Sequence, residues 1–383
     1  MRRHPLCAKL LSIMVIGREL RVFRKSLLAW FRKFQRELPW RKNKDAYRVW
    51  LSEIMLQQTR VAVVIPYYER FLERFPTLTA LAEAPTEEVL RFWSGLGYYT
   101  RARNLQRAAQ QIVANHAGRF PESRNAAMAL PGIGAYTSAA ILSIAFEQQH
   151  AVLDGNVARV VARLFALRGD LREPDRWKEL QCSAVELLAR NAPGDWNQAM
   201  MELGATICTP RSPQCLLCPV AKHCAARKQS MQDEIPEKRK KRAPVTVTLA
   251  AAVFVDPQGR SLLLPPPHPG NGKIVAEHVP TLVSNLWHFP TIAVTEDPGV
   301  ELAGHLQHTF ALGKARPLRL IALNCVKHSV TYRKISIFAF RVEVKKLPML
   351  DCARALELEG LSALPVSSLT RKIARAAAAA ATK

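Results

Sequence analysis

The 383-residue chain contains no long apolar run, so no stretch of it reads as a membrane span. It is short of acid: 31 Asp and Glu face 55 Lys and Arg, a net charge of +24 with a pI near 10.1. That imbalance points to a polyanionic partner, and without an apolar run to favour a membrane the partner it implies is nucleic acid. A secreted disulfide frame is missing as well. The eight cysteines are not spaced for one, and four of them cluster, which implies a metal centre in a reducing, cytoplasmic compartment. No regular internal repeat is visible. The N-terminus resembles a secretory leader but is not expected to be one: Lys9 interrupts the apolar stretch after Arg2-Arg3, and Gly17 leads into Arg18-Glu19 instead of a small-residue cleavage site. Residues 1–21 therefore read as an extension.

What the chain does contain is organised around residues 129–159. A helical run ends near Leu130, Pro131-Gly132-Ile133-Gly134 turns sharply, and a second helix starts near Ala135 and runs to Phe146. Gly132 and Gly134 leave backbone N–H groups uncovered at the positive end of that helix, a place for a phosphate oxygen. Some twenty residues past the turn stands Asp154, in Leu153-Asp154-Gly155-Asn156. A backbone-phosphate grip followed by one carboxylate suggests an enzyme that holds DNA and acts on a sugar. The plainer alternatives are an ordinary helical hairpin and an N-cap for the helix beginning near Val157.

Residues 22 to about 118 read as helices broken at Pro39, Pro66, Pro76, Pro85 and Gly118. The run 47–56, YRVWLSEIML, is apolar on nearly every side, which leaves Glu53 little access to water. Desolvation raises a carboxyl pKa toward neutrality, as a general acid requires; a core Glu satisfied by an Arg is the alternative. Gln57 and Gln58 end the segment with two amides suited to base edges. Gly95-Leu96-Gly97-Tyr98-Tyr99, followed by Arg101 and Arg103, carries apolar wedges beside arginines, or else core tyrosines on a capping turn. Gln198 is a further base-contact candidate on an amphipathic helix. Cys208, Cys215, Cys218 and Cys224 follow with the spacing C-x6-C-x2-C-x5-C. Four thiolates in so short a loop can wrap an iron–sulfur cubane or one zinc ion, but the spacing does not match the paired knuckles usual for zinc. Arg211, Lys222 and Arg227 around the loop suit a phosphate backbone. Residues 231–244 form a basic linker, with five basic residues from 238 to 242. Beyond it, 245–249, 320–323 and 335–342 have strand character, a second domain of mixed α and β structure over 245–373. The alanine-rich end, 374–383, reads as a low-complexity tail.

Taken in order, LPW, VWLSEIMLQQT, GLGYY, LPGIGAYT, LDGNV, NQAMMELG and the four-cysteine loop resemble one family, the adenine DNA glycosylases of the endonuclease III (helix-hairpin-helix) superfamily. The resemblance covers roughly residues 31–224. It continues more weakly into the second domain, where NLWHFP at 285–290 is similar to the family's NLWEFP. It implies a mostly α helix-hairpin-helix glycosylase region over 22–230, a 4Fe-4S cluster on the four cysteines and a C-terminal α/β NUDIX-like lesion-recognition domain. It also implies removal of adenine mispaired with 8-oxoguanine or guanine in double-stranded DNA. By residue, Glu53 matches the acid that protonates adenine N7 and Asp154 the aspartate facing the sugar. Tyr136 and Asn156 match supporting active-site residues, and Trp40, Arg41 and Gln198 match residues around the adenine pocket. Gln58, Leu96 and Tyr98 match those filling the space around the flipped base. Strand-cleaving relatives carry Lys where this chain has Tyr136, and a phenol forms no Schiff base, so the expected enzyme is monofunctional. The expected setting is a monomer in the bacterial cytoplasm, away from membranes, with a clamp or mismatch-repair partner left open.

One departure stands out. The family's FSH loop, which probes 8-oxoguanine, is replaced here by Ala311 and Leu312 after His308-Thr309-Phe310. Either His308 and Thr309 compensate or lesion discrimination is weaker. No glutamate-rich NUDIX hydrolase signature is present, so the domain is expected to recognise and not to hydrolyse. The rival readings are a glycosylase for thymine or uracil mismatches or oxidised pyrimidines, which would not need Glu53, and a non-catalytic iron–sulfur DNA binder, which would need neither carboxylate.

Overall fold

The computed structural model describes residues 17–237, 243–266, 286–310, 312, 318–330, 332–350 and 352–380. The signal-like stretch 1–16, the basic run 238–242, Asn285 and Ala311 lie outside them. Two compact units divide the chain: Met1–Glu83 with Asn104–Lys240, and Ala84–Arg103 with Lys241–Lys383. Placing 84–103 in the second unit departs from the contiguous boundary expected from the sequence.

The first unit is helical. α1 (Arg18–Phe34) buries Phe23, Leu27, Leu28 and Phe31 along one stripe. α2 (Ala46–Leu56) starts at Asp45, whose side chain accepts from Arg48 N at 2.9 Å. α3 (Val61–Arg74) runs through Pro66 instead of breaking there. Pro66 and Ala62, whose carbonyl loses its partner, both face solvent, so water can satisfy the freed oxygen. After α4 (Leu78–Glu83), the hairpin pairs α7 (Arg124–Ala129) with α8 (Ala135–Phe146), the boundaries the glycine turn implied. Gly132 sits at φ +78°, and a Cβ there would lie 2.9 Å from Asn104 Cβ, so glycine is required. Gly134 has extended φ and open space around it; its lack of a side chain leaves the start of α8 without a side-chain cap. α8 is buried on every side from Thr137 to Ile144 and packs against α2, α7 and α11. α9 (Gly155–Phe165), α10 (Pro174–Leu187), α11 (Pro193–Thr206) and the short α12 (Ala225–Lys228) follow, α10 and α11 with proline in the first turn.

The second unit takes α5 (Thr86–Trp93) and the first residues of α6 (Thr100–Asn115) together with a five-stranded sheet. β1 (Val245–Val255) pairs in parallel with β6 (Arg333–Glu343), Val245 opposite Arg333 through Val255 opposite Glu343. β3 (Thr291–Ala293), β4 (Leu320–Ala322) and β5 (Val326–Val330) add antiparallel partners, and β2 (Arg260–Leu263) pairs with β7 (Arg354–Glu357) apart from them. β1 reads LAAAVFV because both its faces are covered. Leu249, Ala251 and Val253 pack with Ile373 and Ala377 of α14 (Ser368–Ala379), while Ala250, Ala252 and Phe254 pack with Leu302 and Leu306 of α13 (Pro298–Phe310). The alanine end is therefore not a featureless tail. Ser367 caps α14, and Ala374 and Ala377 are core residues.

Candidate active site

A cavity of about 880 Å³ opens in the helical unit. Trp40, Arg41, Glu53, Gln57, Gln58, Tyr136, Asp154, Asn156 and Gln198, all singled out in the sequence, line it together. Glu53 lies in the last turn of α2, 8% exposed. Burial pushes its carboxyl up to about 7; the Tyr136 hydroxyl works against this, the Asp154 charge adds to it, and Arg41 works against it. Tyr136 Oη donates to Glu53 Oε2 at 2.7 Å and lies 3.2 Å from Met201 Sδ. Burial and the Glu53 charge hold that phenol far above its usual range, so it remains a donor.

Asp154 is both the N-cap of α9 and a wall of the cavity, which reconciles the plain and the functional reading. Its Oδ1 accepts from Val157 N at 2.7 Å and its Oδ2 from Asn156 Nδ2 at 3.1 Å. A helix start alone would lower its pKa. Here burial outweighs these donors and Arg159, and the carboxyl lies above its ordinary value. The orientation of Asn156 follows from Arg159, whose Nη2 donates to Asn156 Oδ1 at 2.9 Å and so turns the amide nitrogen toward Asp154. The same guanidinium donates to Gly204 O at 2.7 Å and Cys208 O at 2.8 Å, connecting the pocket to the cysteine loop.

Several residues that matter here went unread in the sequence. Glu202, 1% exposed, takes a bidentate contact from Arg36 (2.7 and 2.8 Å) and another from Arg41 Nη2 (2.8 Å). Burial would raise its pKa, yet the two guanidiniums hold it at about 2. Arg41 is thus committed to a carboxylate on α11, with Arg36 O as a further acceptor. Asn197, next to the expected Gln198, is the buried amide that clamps the entry to LDGNV: it accepts from Val152 N and donates to Ser143 Oγ and His150 O. Its Asn-Gln position on a helix carried no signal separating the two amides.

Other expected residues lie elsewhere. Gly132 and Gly134 form the hairpin and do not line the cavity. Leu96 and Tyr98 belong to the second unit; Leu96 is buried there, and Tyr98 is 43% exposed at φ +50°. His308 and Thr309 occupy the last turn of α13, so they are not on a probing loop; Asp297 starts that helix by accepting from Gly299 N and Val300 N at 2.8 Å. The Asp-Pro pair at its start was the overlooked signal.

Cys208, Cys215, Cys218 and Cys224 line one small cavity with Arg163 and Gln232. Among the described residues no three Cys, His, Asp or Glu side chains converge as they would on a single ion. Four thiols lining one cavity are the donor set an iron–sulfur cluster takes. Burial pushes the Cys218 thiol up to about 12 and raises Cys215 and Cys224, so ligation must supply the charge that keeps them as thiolates. Arg163, 2% exposed, donates Nη1 to Cys208 Sγ at 3.2 Å, and its buried Nη2 has no partner in protein. A buried guanidinium in that wall with one nitrogen left unpaired fits an anionic sulfur cluster.

Residues 51–182 match the HhH-GPD superfamily of base excision DNA repair proteins, and residues 208–224 match the iron–sulfur binding domain of endonuclease III. An adenine DNA glycosylase of Rattus norvegicus is 34% identical over 414 residues, covering 93% of this chain and 78% of its own. The chain belongs to the adenine DNA glycosylase family. The adenine DNA glycosylase of Homo sapiens is 46% identical over 226 residues, covering 57% of this chain, and the match spans 41% of the human protein's length. Among solved structures, a thermostable thymine-DNA glycosylase aligns with TM-score 0.51 and 30% identity, covering 55% of this chain and 97% of its own. As a member of the family this chain is a DNA N-glycosylase carrying an iron–sulfur cluster.

Proposed function

We propose that the chain removes adenine mispaired with 8-oxoguanine or guanine and leaves an abasic site without cutting the strand. The observation that carries this reading is Glu53, a buried carboxyl held near neutrality in one cavity with Asp154. Adenine enters the cavity only when rotated out of the stack, at a cost of a few kcal/mol that a mispair lowers. Glu53 in its protonated form donates to adenine N7. The electrons of the C1′–N9 bond pass into the base, which departs neutral. Asp154 stabilises the cationic sugar carbon that remains, from a position fixed by Val157 N, Asn156 and, through Asn156, Arg159. Water then adds to C1′ and returns its proton to the site. Tyr136 holds the Glu53 carboxyl in place and offers no amine, which supports a reaction without an imine and without strand cleavage.

Cys208, Cys215, Cys218 and Cys224 would hold the iron–sulfur cluster, which would cross-link the loop whose Cys208 carbonyl receives Arg159. Recognition of 8-oxoguanine falls to the second unit in this reading. A replication clamp or mismatch-repair protein belongs to the same proposal as a partner.

The test is single-turnover reaction of duplexes carrying one central A:8-oxoguanine, A:G, A:C or T:G pair, each divided between hot alkali and none. The expected result is adenine release from A:8-oxoguanine and A:G, with breaks only after alkali. Breaks without alkali would refute the monofunctional step. Release of thymine and not adenine would refute the adenine assignment.

A further inference from the structure

α5 and the turn after it are held by the C-terminal part of the chain at two points. Near its start, the Glu87 carboxylate accepts from Trp287 Nε1 at 3.1 Å and from both Arg354 Nη atoms at 3.1 and 3.2 Å, while Arg354 lies 4.9 Å over the Trp287 ring. At its end the C-cap Ser94, 4% exposed, donates Oγ to Val366 O at 2.8 Å and accepts from Arg371 Nη2 at 2.8 Å. Tyr99 Oη reaches Val366 O at 3.5 Å and accepts from Gly95 N at 3.2 Å. The two clamps stand seven residues, two helical turns, apart on one face.

The turn they bracket is built to a definite shape. Gly95 and Gly97 have φ of +111° and +72°, conformations that favour glycine, and Tyr98 follows at +50° with a side chain that does not. Trp93 Nε1 and Arg101 Nη2 both donate to Gly97 O, at 3.2 and 3.1 Å, and the Arg101 guanidinium lies over the rings of Trp93 and Tyr98. Leu96 is thereby buried and Tyr98 presented outward. Internal bonds fix the turn's form; the Glu87 and Ser94 clamps fix where that form is held.

We propose that the C-terminal unit positions the Gly95–Tyr99 turn through Glu87 and Ser94, and so sets how readily adenine is extruded, in addition to any reading of the opposite base. Glu87, Ser94, Arg354 and Arg371 are positioning residues in this proposal. It rests on the reading that Tyr98 fills the space of the flipped base.

The experiment compares one adenine in two contexts: opposite 8-oxoguanine in a duplex, and unpaired in a single-base bulge where extrusion is already easy. In the full chain, Glu87→Lys places a cation against Arg354 and is expected to lower the single-turnover rate about tenfold on the paired adenine and less than threefold on the bulge. Adding Arg354→Glu restores an ion pair of opposite sense and is expected to return most of the rate. Arg260→Ala, which removes the Asp256–Arg260 pair of the same unit without touching α5, is the control for general destabilisation. Ser94→Ala gives a milder variant whose readout is 2-aminopurine fluorescence at the target position with saturating protein; weaker brightening than wild type is expected. Equal loss on both adenines, no loss on the paired one, or no rescue by Arg354→Glu would overturn the positioning role. Wild-type chain inert on both adenines would instead overturn the glycosylase reading, and this proposal with it.

Discussion

Replacing Glu53 by Gln should stabilise the protein and abolish its chemistry together. The folded state holds this carboxyl at about 7 against an ordinary 4.5, because burial penalises the charged form. A carboxyl whose pKa is raised by folding costs stability in a definite window. Below 4.5 it is protonated in both states and costs nothing. Between 4.5 and 7 the unfolded chain ionises first, and the penalty grows. Above 7 it levels off at about 3 kcal/mol, from 1.36 kcal/mol per pH unit. Gln has nearly the same shape, carries no charge at any pH, and keeps an oxygen for the Tyr136 hydroxyl. Equilibrium denaturation of the two proteins across pH 4 to 8 should therefore give curves that coincide near pH 4 and separate toward about 3 kcal/mol in favour of Glu53→Gln. Adenine release should fall by several orders of magnitude, because the amide cannot protonate N7. A variant no more stable than wild type at pH 8, or one that gains the same amount at pH 4, would refute the claim that a desolvated carboxylate sits in this pocket.

Three further outcomes follow from the same geometry. Tyr136→Phe removes a hydrogen bond that favours ionised Glu53, so the limb on which rate falls with rising pH should move upward from about 7, by about one to two pH units for a bond worth ~1.5–3 kcal/mol to a charged group; a pH profile of single-turnover rates reads it. Glu202, held at about 2 by Arg36 and Arg41, contributes stability that is complete above its ordinary 4.5 and is lost as pH falls toward 2; acid titration should lose about 3 kcal/mol across that window, and Glu202→Gln, which strands two guanidiniums, should cost about 3–5 kcal/mol at pH 7. Gly204→Ala places a Cβ 2.8 Å from Asn156 Cβ and 3.0 Å from Asn156 O, and the displaced amide should lower kcat roughly ten- to a hundredfold while the far-ultraviolet circular dichroism stays that of wild type.

What the sequence made legible and what it hid divide along a physical line. Glu53 could be read because a carboxyl in a helix apolar on nearly every side is anomalous on local grounds, and Asp154 because a cap residue after a glycine hairpin is a local pattern. The cysteines were legible by spacing. The Arg36–Glu202 pair, whose partners lie 166 residues apart, could not be read: each residue alone is an ordinary charge on an ordinary helix. Asn197 and Gln198 differ by a rotation of 100° about one helix, and only packing tells which amide is the clamp and which lines the cavity. Where local signals were present but overlooked, the errors were of another kind. Asp297-Pro298 announces a helix that carries His308 and Thr309, and Ile373, Ala374 and Ala377 recur at the spacing of a buried stripe. The segment 84–103 is the instructive case. Its glycines and aromatics advertise a wedge, but nothing within it says that Glu87 and Ser94 answer to Trp287, Arg354, Val366 and Arg371. A residue's own surroundings in sequence report whether it is buried, capped or turned; they do not report who holds it. The chemistry of this site was therefore readable residue by residue, and so were the local bonds that hold Asp154, whereas the holding of Arg159 by Gly204, of Glu53 by Tyr136 and of Ser94 by Arg371, over 45, 83 and 277 residues, became readable only once the chain was folded.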